Sequence, residues 1–252
     1  MYDLQKASMW RRISAFLCDA VALCIVVAGF ILLFSAVFGY DGHVARLEDI
    51  SESYETKYNV DFDITDEDYK KLTEAEQAQY KLAMDDFAKD SEANRVYNLL
   101  INLSFAMISI GILISFLLLH LLVPLLFGHG QTLGKKIFGV AVMREDGVKL
   151  EPLLLFTREI LGKYTVETML PVLIVLMIYW DAIGFLGTLI VLGLLILETM
   201  LLATTAKRQA LHDKIAHTVA VDYASQRIFD SVEDMIAYKQ RIHAEQVEAE
   251  KN

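Results

Sequence analysis

Four uninterrupted apolar stretches constrain this chain more than anything else in it. A helix rises 1.5 Å per residue, so about 20 apolar residues cross a ~30 Å hydrocarbon layer. The stretches run from Ile13 to Phe38, Leu99 to Phe127, Tyr164 to Tyr179 and Ile183 to Thr205. Of the 252 residues, 55% are hydrophobic, more than a soluble domain of this size usually carries. The expected fold is an all-α integral membrane protein, a bundle of four transmembrane helices with both termini on the cytoplasmic side. A small cytoplasmic β element and an acidic, helical extracytoplasmic loop complete it. The third span is diluted by Thr165, Glu167 and Thr168 and interrupted by Pro171. Only "WDA" separates it from the fourth, so the two are read as an antiparallel hairpin.

The first stretch is too long for the core of a secretory signal, and no small-x-small site follows it, so it is read as an uncleaved anchor. Cys18 and Cys24 lie six apart within it, where one helix keeps them from bridging, and they are read as buried thiols. Orientation follows the basic residues. Lys6, Arg11 and Arg12 precede the first span, Lys135, Lys136, Arg144, Lys149, Arg158 and Lys163 fill the second connection, and Lys207, Arg208 and Lys214 follow the fourth span. With four spans all of these share one face, the cytoplasmic face of a cell membrane. The chain divides into 1–38 (first helix and N-terminus), 39–98 (acidic loop), 99–222 (remaining helices and cytoplasmic loop) and 223–252 (cytoplasmic tail).

Residues 41–95 hold 16 Asp or Glu against 7 Lys or Arg, a net of −9 from a chain total of −10. Thr65 with Asp68 and Thr73 with Glu76 match capping boxes, and Tyr80, Met84 and Phe87 fall on one helical face that needs a cover. "DFDITDED" is not an EF-hand, because the required Gly and Glu are Asp66 and Leu72. The Gly-rich "FGHGQTLGKK" is not a phosphate loop, since His129 and Lys136 occupy positions that demand Gly and Ser or Thr. Further on, Val140 and Val142, the turn "REDG", then Val148 and Leu150 read as a hairpin, with Thr218 to Val221 as a third strand. In the tail, Ser231 and Asp234 cap a helix that carries Ile228, Val232 and Met235 on one face, read as a solvated terminal helix.

Ionisable groups inside a span are costly. Asp19 lies seven residues inward of Arg12, His120 seven before Phe127 and Glu198 seven before Thr205. Counted from the same face, the three share a depth of about 10 Å. They are read as one intramembrane polar cluster, serving either to pass a proton or small cation or to fix helix packing by hydrogen bonds. Arg12 and Asp19, about 10.5 Å apart along the helix and with Arg12 pointing away, do not answer each other.

"WRRISAFLCD", "GQTLGKKIFGVAVMREDG" and "RQALHDKIAHTVAV" resemble, in order and spacing, the signature blocks of the RDD family of bacterial polytopic membrane proteins. The resemblance covers residues 7 to 38 and 99 to 222. It places the family arginine on Arg12 and its aspartates on Asp19 and Asp213, and it matches Gln131, Thr132, Gly134, Lys135 and Arg158. The acidic loop looks like an insertion. Since Asp213 follows the fourth span, near the boundary where Arg12 sits, the two are expected to meet. The resemblance implies transport, cation/proton exchange included, only by analogy. An accessory protein recognising a membrane protein or cationic peptide through the acidic loop is the alternative. No nucleophile–base set, metal-ligand spacing or phosphate loop supports an enzyme, a metal or another cofactor. The surroundings are the lipid bilayer, with a homo-oligomer or membrane-protein partner rather than nucleic acid. No internal repeat of the transporter kind is evident.

Overall fold

The computed structural model describes residues 4–179 and 183–249, so the "WDA" link lies outside them. Helix α1 (Met9–Phe38) is followed by α2 (Tyr40–Tyr58), α3 (Asp66–Tyr69), α4 (Glu74–Lys89) and α5 (Ser91–Phe116). A wide-turned segment, π1 (Leu117–Leu122), leads into α6 (Val123–Phe127), α7 (Leu133–Ile137) and β1 (Val140–Arg144). Then come α8 (Pro152–Phe156), a second wide-turned segment π2 (Thr157–Met169), α9 (Leu170–Tyr179) and α10 (Gly184–Thr204). Helix α11 (Leu211–Ile215), strand β2 (Thr218–Asp222) and α12 (Val232–Ala249) close the chain.

Among the described residues, three helical runs are long and apolar enough to cross a membrane: Met9–Phe38, Ser91–Phe127 and Gly184–Thr204. The expected third span does not join them. The run from Pro152 to Tyr179 is helical, but Arg158, Glu159, Lys163 and Glu167 occupy its first half and only α9 is apolar throughout. Both wide turns end just before a proline. Val123 N–H donates to Leu118 and Leu170 N–H to Thr165, each five residues back. Pro124 and Pro171 cannot donate to the carbonyls of His120 and Glu167, and a locally wider turn accommodates such a break.

The chain forms two compact units: Cys24–Ser115, and the residues up to Leu23 together with those from Phe116. In the first, Gly39 at φ 64° turns α1 into α2, a left-handed conformation that a Cβ would penalise. Thr65 accepts from Asp68 N–H, and Thr73 and Glu76 complete a reciprocal capping box at α4. The apolar stripe of α4 is covered from within its own segment. The rings of Tyr54 and Phe87 lie 5.6 Å apart, Phe62 and Tyr80 5.9 Å, and Tyr69 and Tyr80 5.2 Å. Ala83 is fully buried, while Met84 stays exposed. The thiols of Cys18 and Cys24 are free as expected, but Cys18 is half-buried and Cys24 exposed, not buried.

In the other unit, β1 and β2 pair antiparallel, with Val142 opposite Ala220. Ala141, Met143, Val219 and Val221 make one buried cluster, and Val140 and Ala220 another with Ala7. The expected hairpin is reduced to its turn. Gly147, at φ 95°, donates to Arg144 O, and Arg144 N–H to Val148 O, after which the chain leaves β1. Val148 and Lys149 make only isolated bridges, to Phe229 and Met143. The pairing that "REDG" promised goes instead to β2, whose Val219 and Val221 bury against Met143. Ser231 caps α12, and Met235 and Val232 pack on Val148 and Phe229, so this helix is docked at its start rather than solvated throughout.

The same construction occurs twice in this unit. Gln131 Nε2 donates to Val140 O at 2.9 Å, and Gln209, 78 residues on, donates to Thr218 O at 2.6 Å. Each glutamine precedes a five-residue helix, α7 or α11, and then a strand. Left-handed residues flank both helices at matching places: Gly130 and Gly139, then Arg208 and His217. The 78-residue offset carries Val142 onto Ala220, which face each other in the sheet. A local two-fold axis through that pair therefore exchanges the two strands. His120 and Glu198 are also 78 apart, so their equal depth follows from the duplication.

Thr73→Ala is expected to remove the cap of α4 and cost about 1 kcal/mol locally, read as faster amide exchange through α4 with α10 unaffected.

Candidate functional site

Asp213, fully buried in α11, is the point where the elements of the second unit converge. Its Oδ1 accepts from Arg158 Nε at 3.0 Å and from the Thr218 hydroxyl at 3.2 Å, and it lies 2.9 Å from Arg158 Nη2 in the same ion pair. Its Oδ2 accepts from Arg12 Nη2 at 3.2 Å and from the backbone N–H of Ala210 at 3.3 Å. Arg12 also donates to the carbonyl of Arg208, which fixes its fork on this turn. Burial alone would raise the Asp213 pKa, but the charges of Arg158 and Arg12 outweigh it and hold the carboxyl well below the usual range.

The symmetry-equivalent position in α7 is Lys135, and its environment is the electrical mirror image. Lys135 Nζ lies 3.4 Å from Oε1 of Glu159, a carboxylate with no exposed surface that also receives Arg158 Nη1. Burial would raise the Glu159 pKa, yet Lys135, Arg158 and Lys163 draw it well below 4.5. Lys135, buried and facing Arg158 as well as its carboxylate partner, is lowered to about 8. The shifts agree: three cations surround one carboxylate, so the anion is favoured and the lysine is not.

Asp19 does something else. Its Oδ2 accepts from the Thr132 hydroxyl at 2.5 Å and its Oδ1 from the Gly134 N–H at 2.8 Å, so it caps the start of α7 from across the gap to α1. The approach is so close that a Cβ on Gly134 would lie 2.1 Å from the Ala15 carbonyl oxygen. The equivalent of Gly134 is His212, whose N–H donates to Glu167 Oε1 at 2.6 Å. Asp19 on α1 and Glu167 on π2 thus perform one role in two copies. Arg12 precedes Asp19 by seven residues and Glu159 precedes Glu167 by eight, and the wider turns of π2 take up the extra residue.

The expected cluster of Asp19, His120 and Glu198 does not form. Among the described residues no hydrogen bond or ion pair joins any two of them. His120 Nδ1 accepts from Lys163 at 3.3 Å, 3.8 Å from Glu159 Oε2, with its ring stacked on Phe116. Glu198 Oε2 accepts from Leu211 N–H at 3.1 Å. Equal depth along a helix says nothing about direction around it, and these three point to different neighbours. Gln131 reaches Val140, Thr132 serves both Asp19 and the N–H of Lys135, and Arg158 bridges Asp213 to Glu159.

A cavity of about 370 Å³ lies among these groups, between α1, π2, α10 and the two short helices. Arg12, Asp19, Lys135, Arg158, Lys163, Glu167, Glu198 and His212 line it, alongside the apolar Met9, Ile13, Phe16 and Leu202. Glu167, Glu198 and His212 bring their ligand atoms within 4.8 Å of one another, as a metal would need. The histidine tautomer argues against that use. Arg158 Nη2 lies 2.8 Å from Nε2, which must accept, so the proton is on Nδ1 and directed at Glu167, 2.7 Å away. The nitrogen nearest the carboxylates is already a donor. Five carboxylates (Asp19, Glu159, Glu167, Glu198, Asp213) and four cations (Arg12, Lys135, Arg158, Lys163) meet in this assembly, and Asp19, Glu167 and Glu198 are the carboxylates that line the cavity.

The sequence model of one family matches residues 6–217, from ahead of Arg12 to just past Asp213. The chain belongs to the RDD family. RDD proteins are membrane proteins, in keeping with the three apolar helices. No curated protein and no solved structure matches the chain. Of the residues named for the family, Arg12 and Asp213 meet directly in this RDD chain, whereas Asp19 holds a separate post at α7. From the sequence Lys163 counted only as a basic flank and Glu167 only as a dilution of the third span, while Glu159 and His212 were not singled out. The 78-residue offset from Lys135 to Asp213 was the signal that could have drawn attention to their surroundings.

Gly134→Ala should force α1 off α7 and lower the melting temperature in detergent by more than any single surface change. On pH, Asp213 and Glu159 have folded pKa values below their unfolded 3.8 and 4.5. Their stabilisation is complete above about pH 5 and drains away as pH falls through the folded values. Asp213→Asn should cost about 3–5 kcal/mol at pH 7, a difference that begins to shrink only below about pH 4 and is still largely present at about pH 3, as read by denaturation in detergent across pH.

Proposed function

We propose that this RDD protein moves a small cation, a proton or a small solute across the cell membrane through the cavity between its two duplicated halves. The observation that carries the reading is the set of carboxylates on the cavity wall, Asp19, Glu167 and Glu198, of which Glu167 and Glu198 come together beside His212. Among the carboxylates that line the cavity Glu198 is the natural seat for a positive charge, because among the described residues only one of its oxygens accepts a hydrogen bond. Secondary transporters commonly place their sites at the interface of internal repeats, next to interrupted helices. The repeat, and the wide turns at His120 and Glu167, fit that pattern. In this reading the run ending at Tyr179 supplies a fourth span, both termini are cytoplasmic, and residues 41–95 lie outside the cell.

A second reading assigns the protein an accessory role, with the acidic segment recognising a basic partner. Its net charge of −9 favours this. The apolar stripe no longer does, since α2 and Phe62 cover it.

Reconstituted in liposomes, the parent should support cation-dependent proton flux and Glu198→Gln should abolish it while eluting as a folded protein. Deleting residues 41–95 should leave flux intact. Flux that survives Glu198→Gln and falls with the deletion would reverse the order of the two readings.

A further inference from the structure

The cavity is amphipathic, and this carries a conclusion about what enters it. Ile13 and Phe16 of α1 and Leu202 of α10 form part of its wall, and Phe16 is 58% exposed on the surface of a membrane-spanning helix. Glu198, Arg12 and Lys163 line it alongside them. It occurs where the first turns of one span meet the last turns of another, reaching from the boundary of the bilayer to about 10 Å within it. Helix α1 is held here by polar clamps, Arg12 on Asp213 and Asp19 on Gly134, and the cavity opens between those clamps and α10.

We infer that the cavity binds the headgroup of an amine-bearing phospholipid, with the primary ammonium donating to Glu198. Three features select this chemistry. The Glu198 carboxylate on the wall disfavours an anionic headgroup such as glycerol phosphate, which would bring a second negative charge against it. The uncommitted Glu198 oxygen calls for an N–H donor, which a quaternary choline lacks. Arg12 and Lys163 line the same cavity and can face the phosphate that follows the amine. The apolar wall then receives the start of the acyl chains. A volume of about 370 Å³ is ample for an ethanolamine phosphate and too small for a whole lipid. The inference rests on the reading that the cavity accepts positive charge, and it names the class that brings it.

Native mass spectrometry of the full chain in mild detergent, titrated with lipids of matched acyl chains, tests this. Phosphatidylethanolamine should be retained about tenfold more strongly than phosphatidylcholine, the worth of one charge-assisted hydrogen bond, and phosphatidylglycerol least. Glu198→Gln should erase the preference for ethanolamine over choline. Leu202→Trp, which narrows the cavity while leaving Glu198 in place, should erase the preference too and keeps the test decisive if the first variant fails to fold. Equal retention of the three lipids, or an undiminished preference in either variant, overturns the inference. Displacement of the lipid by an equal concentration of free phosphoethanolamine would assign the cavity to a soluble amine and overturn it as well. Proton flux without lipid preference refutes only this inference; lipid preference without flux refutes only the transport reading.

Discussion

The architecture depends on two carboxylates with no exposed surface, Asp213 and Glu159, and on Arg158 between them. Removing such charges from water is expensive, and their mutual attraction recovers the cost only where geometry and extra hydrogen bonds are good. Asp213 meets that condition with two guanidinium groups, a hydroxyl and a backbone N–H. Glu159 meets it less completely, for its Oε2 has no hydrogen-bond partner although His120 and Lys163 stand close by. One end of the network is thus locked and the other has slack. Arg158, adjacent to Glu159 in sequence and bound to Asp213 in space, transmits the position of π2 to α11.

Much of this was legible in the residues because it follows from hydrophobic length and local capping. Three of four apolar stretches became membrane-length helices, and Thr65, Thr73 and Ser231 cap as their spacing indicated. The meeting of Arg12 and Asp213 was implied by the family resemblance, which named Asp213 near the boundary where Arg12 sits. What could not be read was direction around each helix axis. Asp19, His120 and Glu198 share a depth, yet their neighbours are set by helix rotation and by wide turns that local pattern does not announce. Strand pairing was misassigned for a related reason: "REDG" is a good turn, but β2 offers Met143 and Ala141 a better buried partner than Val148 and Leu150 do.

The duplication ties these features together. Each half supplies a glutamine that pins a short helix to its strand, a carboxylate from a neighbouring helix that caps it, and a charged residue at the helix's third position. Sequence identity between the halves is slight because side chains diverged while backbone roles persisted. Gly134 and His212 are chemically unlike, but both present an N–H to a carboxylate. Two prolines, each four residues after a polar group of the assembly, widen the turns that carry His120 and Glu167. The charged core thus coincides with the places where regular helical bonding is interrupted.

The mirror-image polarity of the two clamps has a consequence for how copies of the chain recognise each other. Arg12 meets Asp213 on one side of the pseudo-two-fold, and Glu159 meets Lys135 on the other. Two first halves brought together from separate molecules would set Arg12 against Lys135, and two second halves would set Glu159 against Asp213. The first encounter is repulsive, and the second sets two like charges together with only Arg158 between them. Only an unlike pair of halves closes, and the cheapest unlike pair is the one already joined in a single chain. The inverted signs therefore favour a pair of unlike halves over a pair of like ones.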